Sequence, residues 1–426
     1  MAVVVVIDPG HGGDNLGGNT DEFIEKELTL KVAGYMRERL SQYDGVEVYL
    51  THDNTTDPDL TREERATIAA EHNADFLFSI HFNMSEDHKL YGSEVWTSAF
   101  GEYYSKGQEF ASIEMEGLTG LGFYDRGVKT RLGKDGDDYY GIILQAKKVG
   151  IPAVIIEHCH MDEDRDADYL RNKGEEAYKT FGYIDADSVA KYFHLSSGTL
   201  GVDYSNYSYS PVTVPVSAMG PDMTPADTCS VKLLDSDPEA GTADIRITAK
   251  DAESKMLYYS LSYDGGKTFG KVWPWNNDKE ALKPVDDESI EVKIDLMEGT
   301  GSELVVKTYN RFDRKADTNV ISLPAKIEVK EEASDPATDP DLMQGSDEIS
   351  SNEEQMDSYD TSENDNEEYA EIVIKDPVRE QQNISSTMLT GIVMIISIAA
   401  LFTVGYVVYL TQRRKKRRAK RRKRNL

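Results

Sequence analysis

The chain opens on Val3-Val-Val-Val-Ile7, followed at once by Asp8-Pro-Gly-His11. Five consecutive β-branched residues leave no polar position to face solvent, so they predict a strand buried on both sides, as in a parallel sheet covered by helices. Pro9-Gly10 then ends the strand and turns the backbone. His11 is thereby placed at the carboxyl end of a core strand, the edge of an open α/β sheet where loops gather and ligands bind.

The same pattern recurs twice. Asp75-Phe-Leu-Phe-Ser-Ile80 is a second buried strand closed by His81, and Ile151-Pro-Ala-Val-Ile-Ile156 a third closed by Glu157. Between the first two, Asp21–Leu40 predicts a helix whose apolar stripe is Ile24, Leu28, Val32, Met36 and Leu40. Glu25 stands one position off that stripe in the first turn. A helix that follows a strand begins at the edge where the strand ended, so topology brings Glu25 to the edge that carries His11.

Val46–Leu50 is a further strand, and Thr61 with Glu64 forms a capping-box pattern for a helix running to about Glu71. Glu94–Thr97 is expected to be a returning strand and Tyr104–Leu118 a helix. Gly127–Asp138 is polar and is expected to be mobile, Ile142–Leu144 is too short to assign, and a helix from Glu175 to His194 closes the domain at residue 195. The fold class expected for 1–195 is α/β, a mostly parallel twisted sheet flanked by helices.

A chain of 426 residues exceeds one ordinary core. Residues 196–226, rich in Ser, Tyr, Gly and Pro, are expected to be a linker. Short alternating runs separated by turn clusters then predict an all-β, immunoglobulin-like sandwich over 227–325. Residues 326–387 are acidic and poor in apolar side chains, which predicts a disordered stalk. Residues 388–410 are 23 positions without a charge, about 34 Å as a helix, which matches the hydrocarbon core of a bilayer. The polybasic tail 411–426 follows, so a single-pass protein with its tail in the cytoplasm and everything before the span outside is expected. Such export requires a signal peptide. The first core strand starts at residue 2, so the reading frame is expected to begin upstream or the chain to be a processed form.

Acidic residues outnumber basic ones 77 to 47, and 11 of the basic ones fall in the last 14 positions; without those, 36 against 77 leaves −41. Nucleic acid is excluded as a partner of such a surface. Cys159 and Cys229 are expected to be free thiols in separate domains. His52, His72, His88 and His194 are read as structural. If its strand continues, His158 and His160 face away from Cys159, which disfavours a Cys–His dyad. Gly10-His-Gly12 lacks the further glycine of a dinucleotide loop, and no nucleophile elbow is present.

Two histidines and a carboxylate at one sheet edge, His11, His81 and Glu25, match the ligand set of a catalytic Zn2+ with a position left for water. Zinc chemistry suits hydrolysis of an unactivated amide, and it requires a further carboxylate to take the water's proton and pass it to the leaving nitrogen. Glu157 is placed for that role.

Ile7-Asp-Pro-Gly-His-Gly-Gly13, Glu25-Lys26 before a helix, Ser79-Ile-His-Phe-Asn83 and Pro152-Ala-Val-Ile-Ile-Glu157 together resemble the four motifs of the zinc-dependent N-acetylmuramoyl-L-alanine amidases, amidase type 3. Arg126-Gly-Val-Lys129 resembles a stretch those enzymes carry before the last motif. The resemblance covers residues 1 to about 195. It implies cleavage of the amide between N-acetylmuramic acid and L-alanine in peptidoglycan, with His11, Glu25 and His81 as zinc ligands and Glu157 as the catalytic carboxylate. One stretch departs from it: Glu157 is followed by His158-Cys-His160-Met-Asp162 instead of a small residue and an aromatic, which bears on the substrate-pocket wall and on the ligand count. A non-catalytic peptidoglycan-binding or signalling ectodomain, and a zinc hydrolase of some other amide, stay open as alternatives.

Overall fold

The computed structural model describes residues 2–54 and 59–327. The expected acidic stalk beyond 327, the span 388–410 and the tail 411–426 lie outside the described residues. Among the described residues no helix is long and apolar enough to cross a membrane.

The first domain is built from β1 (Val3–Pro9), α1 (Glu25–Leu40), β2 (Val46–Leu50), α2 (Arg62–Glu71), β3 (Phe76–Asn83), β4 (Ser93–Thr97), α3 (Gly101–Gly120), β5 (Asp125–Lys129), α4 (Gly141–Lys148), β6 (Ala153–His160), α5 (Asp164–Lys173) and α6 (Glu175–Tyr192). Its six strands run in the order β2-β1-β3-β6-β4-β5. Every neighbouring pair is parallel except β4 with β6, which is antiparallel. Because successive side chains leave a strand on opposite faces, the apolar runs feed two cores at once. Val5, Ile7, Phe76, Phe78, Ile80, Val154 and Ile156 face the cluster built with α1, α3 and α6. Val6, Leu77, Ala153 and Ile155 face the smaller cluster built with α2 and α4.

Several expectations shift by a turn or an element. The first helix begins at Glu25 rather than Asp21, and Gly127–Lys129 lie in β5, where Lys129 is 1% exposed, instead of in a mobile loop. The capping box at the start of α2 forms, with Thr61 Oγ1 accepting from the Glu64 amide and Glu64 accepting from the Thr61 amide. The segment expected to be a linker lies partly on the first core: β7 (Ser196–Ser197) and β8 (Val202–Asp203) pair, and Tyr204, Tyr207 and Tyr209 pack against the α1/α3/α6 cluster.

The second domain holds β9 (Thr228–Asp237), β10 (Thr242–Lys250), β11 (Met256–Ser262), β12 (Val272–Pro274), β13 (Ser289–Asp295), β14 (Ser302–Asn310), β15 (Lys315–Asp317) and β16 (Ile321–Leu323). One antiparallel sheet runs β13-β10-β9 and the other β12-β11-β14-β15, with β16 also on β14. A single core joins them, with Ile245, Ile247, Val292 and Ile294 from one sheet and Tyr259, Leu261, Leu304 and Val306 from the other, around a fully buried Trp275. Strand β11 is buried at every position. One face serves this core. From the other, Leu257 and Tyr258 join Tyr91 and Tyr124 of the first domain, together with Val272 and Tyr309, in an apolar junction. The two domains are therefore packed together at the edge formed by β4 and β5.

Candidate active site

Side-chain parity sets the site. Counting along each strand from the α2/α4 face, Asp8 follows Val6, Ser79 and His81 follow Leu77, and Glu157 follows Ile155, so all four side chains emerge on one face. The register aligns Asp8 with Ser79, and places Glu157 between His81 on one side and Glu94 on the other. A lateral row His81, Glu157, Glu94 thus crosses three strands.

His11 lies just past β1 in the left-handed region, at φ 67. Its loop is held by reciprocal amide bonds between Gly12 and Asn15, and above all by Arg65. That guanidinium donates to Asp8 Oδ1, Pro9 O and His11 O, each at 2.7 Å, and to Leu60 O at 2.9 Å. Asp8 also accepts from Thr51 and Ser79, so the end of β1 is pinned from three neighbouring segments.

Glu25, the first residue of α1, aims its carboxylate between the two histidines. Its Oε2 is 2.9 Å from His11 Nε2 and its Oε1 2.9 Å from His81 Nδ1. It also accepts from the Gly18 and Phe82 amides. His11 Nδ1 faces Asn15 Oδ1 at 3.1 Å, a contact that places the proton on Nδ1 and turns the Nε2 lone pair toward Glu25. A carboxylate facing two ring nitrogens at that distance needs protons or a cation between them. One ligand atom from each of His11, Glu25 and His81 lies within 4.8 Å of the others, the dimension of a metal-binding triad. Burial works to raise the Glu25 carboxyl, but hydrogen bonds and charge from His11 and His81 outweigh it and hold the group far below the usual carboxylate range. For His11 burial works downward and is outweighed by Glu25, so the imidazole is raised.

Two glycines let the backbone come this close. A Cβ on Gly10 would sit 2.5 Å from His81 Cε1, and one on Gly17, at φ 72, would sit 2.5 Å from both Glu25 Oε2 and His11 Cδ2. Gly17→Ala is therefore expected to displace two of the three donor groups and weaken metal binding by about 10–100-fold, read by chelator competition.

Glu157 projects beside the triad. Its Oε2 is shielded from solvent and has no hydrogen-bond partner among the described residues. Burial, then the negative charges of Glu25 and Glu94, push its carboxyl well above the usual range. A cleft of about 320 Å³ opens over His11 and His81, walled by Asn15, Asp59, Leu60, Tyr140 and Ile142.

The stretch that departs from the amidase pattern contributes no ligand. His158 faces His81 O at 3.1 Å with Nδ1 and Asp185 at 3.0 Å with Nε2, and so braces the strand that carries His81. His160 faces Gly92 O, and Cys159 is a buried free thiol. Sequence reasoning missed Arg65, Asp185 and Glu94. A charged residue at a core-facing position of an otherwise apolar strand, as at Asp8 and Glu94, was the available signal, since a buried charge requires a partner.

A mixed α/β sheet thus carries at one edge a His–Glu–His cluster with the spacing of a metal-binding site and an unpartnered carboxylate, a donor set suited to a hydrolase. The family model for N-acetylmuramoyl-L-alanine amidase matches residues 5–181. N-acetylmuramoyl-L-alanine amidase CwlM of Bacillus licheniformis is 28% identical over 200 residues, 46% of this chain and 70% of that protein. The uncharacterized protein YqiI of Bacillus subtilis is 30% identical over 175 residues, 41% of this chain and 77% of that protein. The catalytic domain of the amidase CwlV from Bacillus (Paenibacillus) polymyxa is 25% identical, with 45% of this chain and 98% of that one covered at a TM-score of 0.37. The chain belongs to the amidase type 3 family.

Proposed function

We propose that this protein is a zinc-dependent, membrane-anchored peptidoglycan amidase that cleaves between N-acetylmuramic acid and L-alanine. The observation that carries the reading is the convergence of His11, Glu25 and His81, beside a cleft lined by both histidines, with the unpartnered Glu157 carboxylate next to His81 in the sheet register. His11, Glu25 and His81 would hold the ion, and their donor set suits it: two neutral imidazoles and one carboxylate, oriented by Asn15 and by backbone amides. Zinc bound there would supply the positive charge that acidifies water and polarises an amide carbonyl.

Glu157 accepts the proton of the attacking water and returns it to the amide nitrogen as that bond breaks. The Glu157 side chain is half-buried and Oε2 has no competing hydrogen bond, which leaves the carboxylate uncommitted for both transfers. Tyr140, Leu60 and Ile142 shield one wall and exclude bulk water from the reacting atoms.

The uncharged run 388–410 with the basic tail after it supports a single span, a cytoplasmic C-terminus and an outward-facing catalytic domain. On this reading the second domain is an immunoglobulin-like module, and the acidic stretch beyond it sets the reach from the membrane. The test is release of new L-alanine amino termini from purified peptidoglycan by the full-length chain. Release is expected to stop with chelator and return with zinc. Peptidoglycan binding with no such release would replace this reading with a non-catalytic wall-binding ectodomain.

A further inference from the structure

Two buried cations stand one strand away from the proposed proton carrier. Arg126 and Lys129 of β5 have side chains 2% and 0% exposed, and both donate to Glu94 Oε2, at 2.8 and 2.6 Å. Glu94 is directly opposite Glu157 in the β4/β6 register, on the same face. One carboxylate facing two cations leaves a net positive charge in a dry site, and such a charge is strongly unfavourable unless paired. Glu157, paired with Glu94 in the register and itself unpartnered, is an acceptor on that face that such a charge would draw on.

The second domain supplies the missing partner. Asp313, at the turn between β14 and β15, accepts from Arg126 Nη2 at 2.8 Å and lies 3.9 Å from Lys129 Nζ. Tyr258 of β11 accepts from Arg126 Nη1 at 3.1 Å and itself donates to Tyr91 O. All three guanidinium nitrogens are thus occupied, two of them by groups of the second domain. Asp313 is held in place by a tight turn: its φ is 59, its amide donates to Asn310 O, and Asn310 Oδ1 accepts from the amides on either side of it, those of Phe312 and Arg314.

We propose that Asp313 is a positioning residue of the catalytic site: by neutralising and anchoring Arg126 it keeps Glu94 fixed and leaves Glu157 unpaired and available to water. The second domain is then a working part of the enzyme and not only a spacer. This rests on the reading of Glu157 as the proton carrier. Docking of the domains does not depend on Asp313, because it is secured by the Tyr91, Tyr124, Leu257 and Tyr258 cluster and by bonds from Tyr124 Oη to Leu257 O and from Lys89 Nζ to Phe269 O.

The experiment compares kcat and KM of the full-length chain on soluble disaccharide-peptide fragments of peptidoglycan, with proteolysis across residues 196–226 as a report on docking. Asp313→Asn is expected to lower kcat about tenfold, a partial loss of general-base catalysis, with KM changed less than about twofold and proteolysis unaltered. Asp313→Glu restores most of the loss. Tyr124→Phe, which weakens the same interface away from the charges, stays near wild type. Should Asp313→Asn undock the domains, Tyr258→Phe decides where proteolysis shows its domains still docked, since it keeps the ring in the interface and removes a partner of Arg126 along with the bond to Tyr91 O; it is expected to lower kcat in the same direction. Wild-type kcat in Asp313→Asn, or in Tyr258→Phe where Asp313→Asn undocks, or an equal fall in Asp313→Asn and Tyr124→Phe, overturns the proposal. An inactive wild type or an active Glu157→Gln instead overturns the reading beneath it.

Discussion

Glu157→Gln is expected to lower turnover of peptidoglycan by about 10²–10⁴-fold, the range a positioned general base contributes. The substitution keeps the shape of the side chain and removes only its capacity to take a proton. The bound metal and KM should therefore change little, and the loss should appear in kcat. Stability should hold or rise. Glu157 Oε2 is shielded and unpartnered, and its neighbours Glu25 and Glu94 are both acidic, so an ionisable group at this position is a burden that the fold carries for function. The check is a set of three measurements on the same preparation: kcat on soluble muropeptide, zinc content and thermal midpoint. Retention of more than about a tenth of wild-type kcat would remove Glu157 from the proton-transfer role. A fall in zinc content would assign it to the ligand set instead.

The parts of this architecture that could be read directly are those encoded by adjacent residues. Val3–Ile7, Phe76–Phe78 and Ala153–Ile156 are apolar without interruption because each strand feeds two cores, and the polar residues that follow each run lie toward the sheet edge. That is why His11, His81 and Glu157 stood out, and why a helix beginning at Glu25 had to bring its first residue to them. What escaped is encoded by residues far apart. Arg126 and Lys129 look like solvent-facing charges, yet they are buried because Glu94, more than thirty positions earlier, and Asp313, 187 positions after Arg126, neutralise them. Strand β11 carries apolar side chains on both faces because the first domain covers the outer one, and nothing within Met256–Ser262 names that cover. Helix α5 is hard to see for a different reason: it is mostly charged and commits only Asp166, Ala167 and Leu170 to the interior, too few to set a period.

The largest effect on stability is expected from Arg65→Met. Arg65 and Asp8 are 6% and 2% exposed at their side chains, and removal of one member of a buried ion pair costs about 3–5 kcal/mol because the other is left charged without its counterion. With a urea dependence of about 2–3 kcal/mol per molar, the unfolding midpoint of the first domain should fall by roughly 1–2.5 M. Metal affinity should fall as well, by a separate route. Arg65 holds His11 O and Pro9 O, and His11 occupies a left-handed backbone conformation that a residue with a Cβ adopts only under constraint. Once those carbonyls are released, the loop can relax and carry Nε2 away from Glu25. The two routes separate in the double variant with Asp8→Asn. Neutralising Asp8 removes the stranded charge and should recover much of the midpoint, while His11 O remains unheld and zinc affinity stays low. Chelator competition on the folded double variant is the deciding measurement. Recovery of wild-type affinity there would mean that Arg65 acts on the site only through Asp8, and that the loop carrying His11 keeps its geometry without the guanidinium.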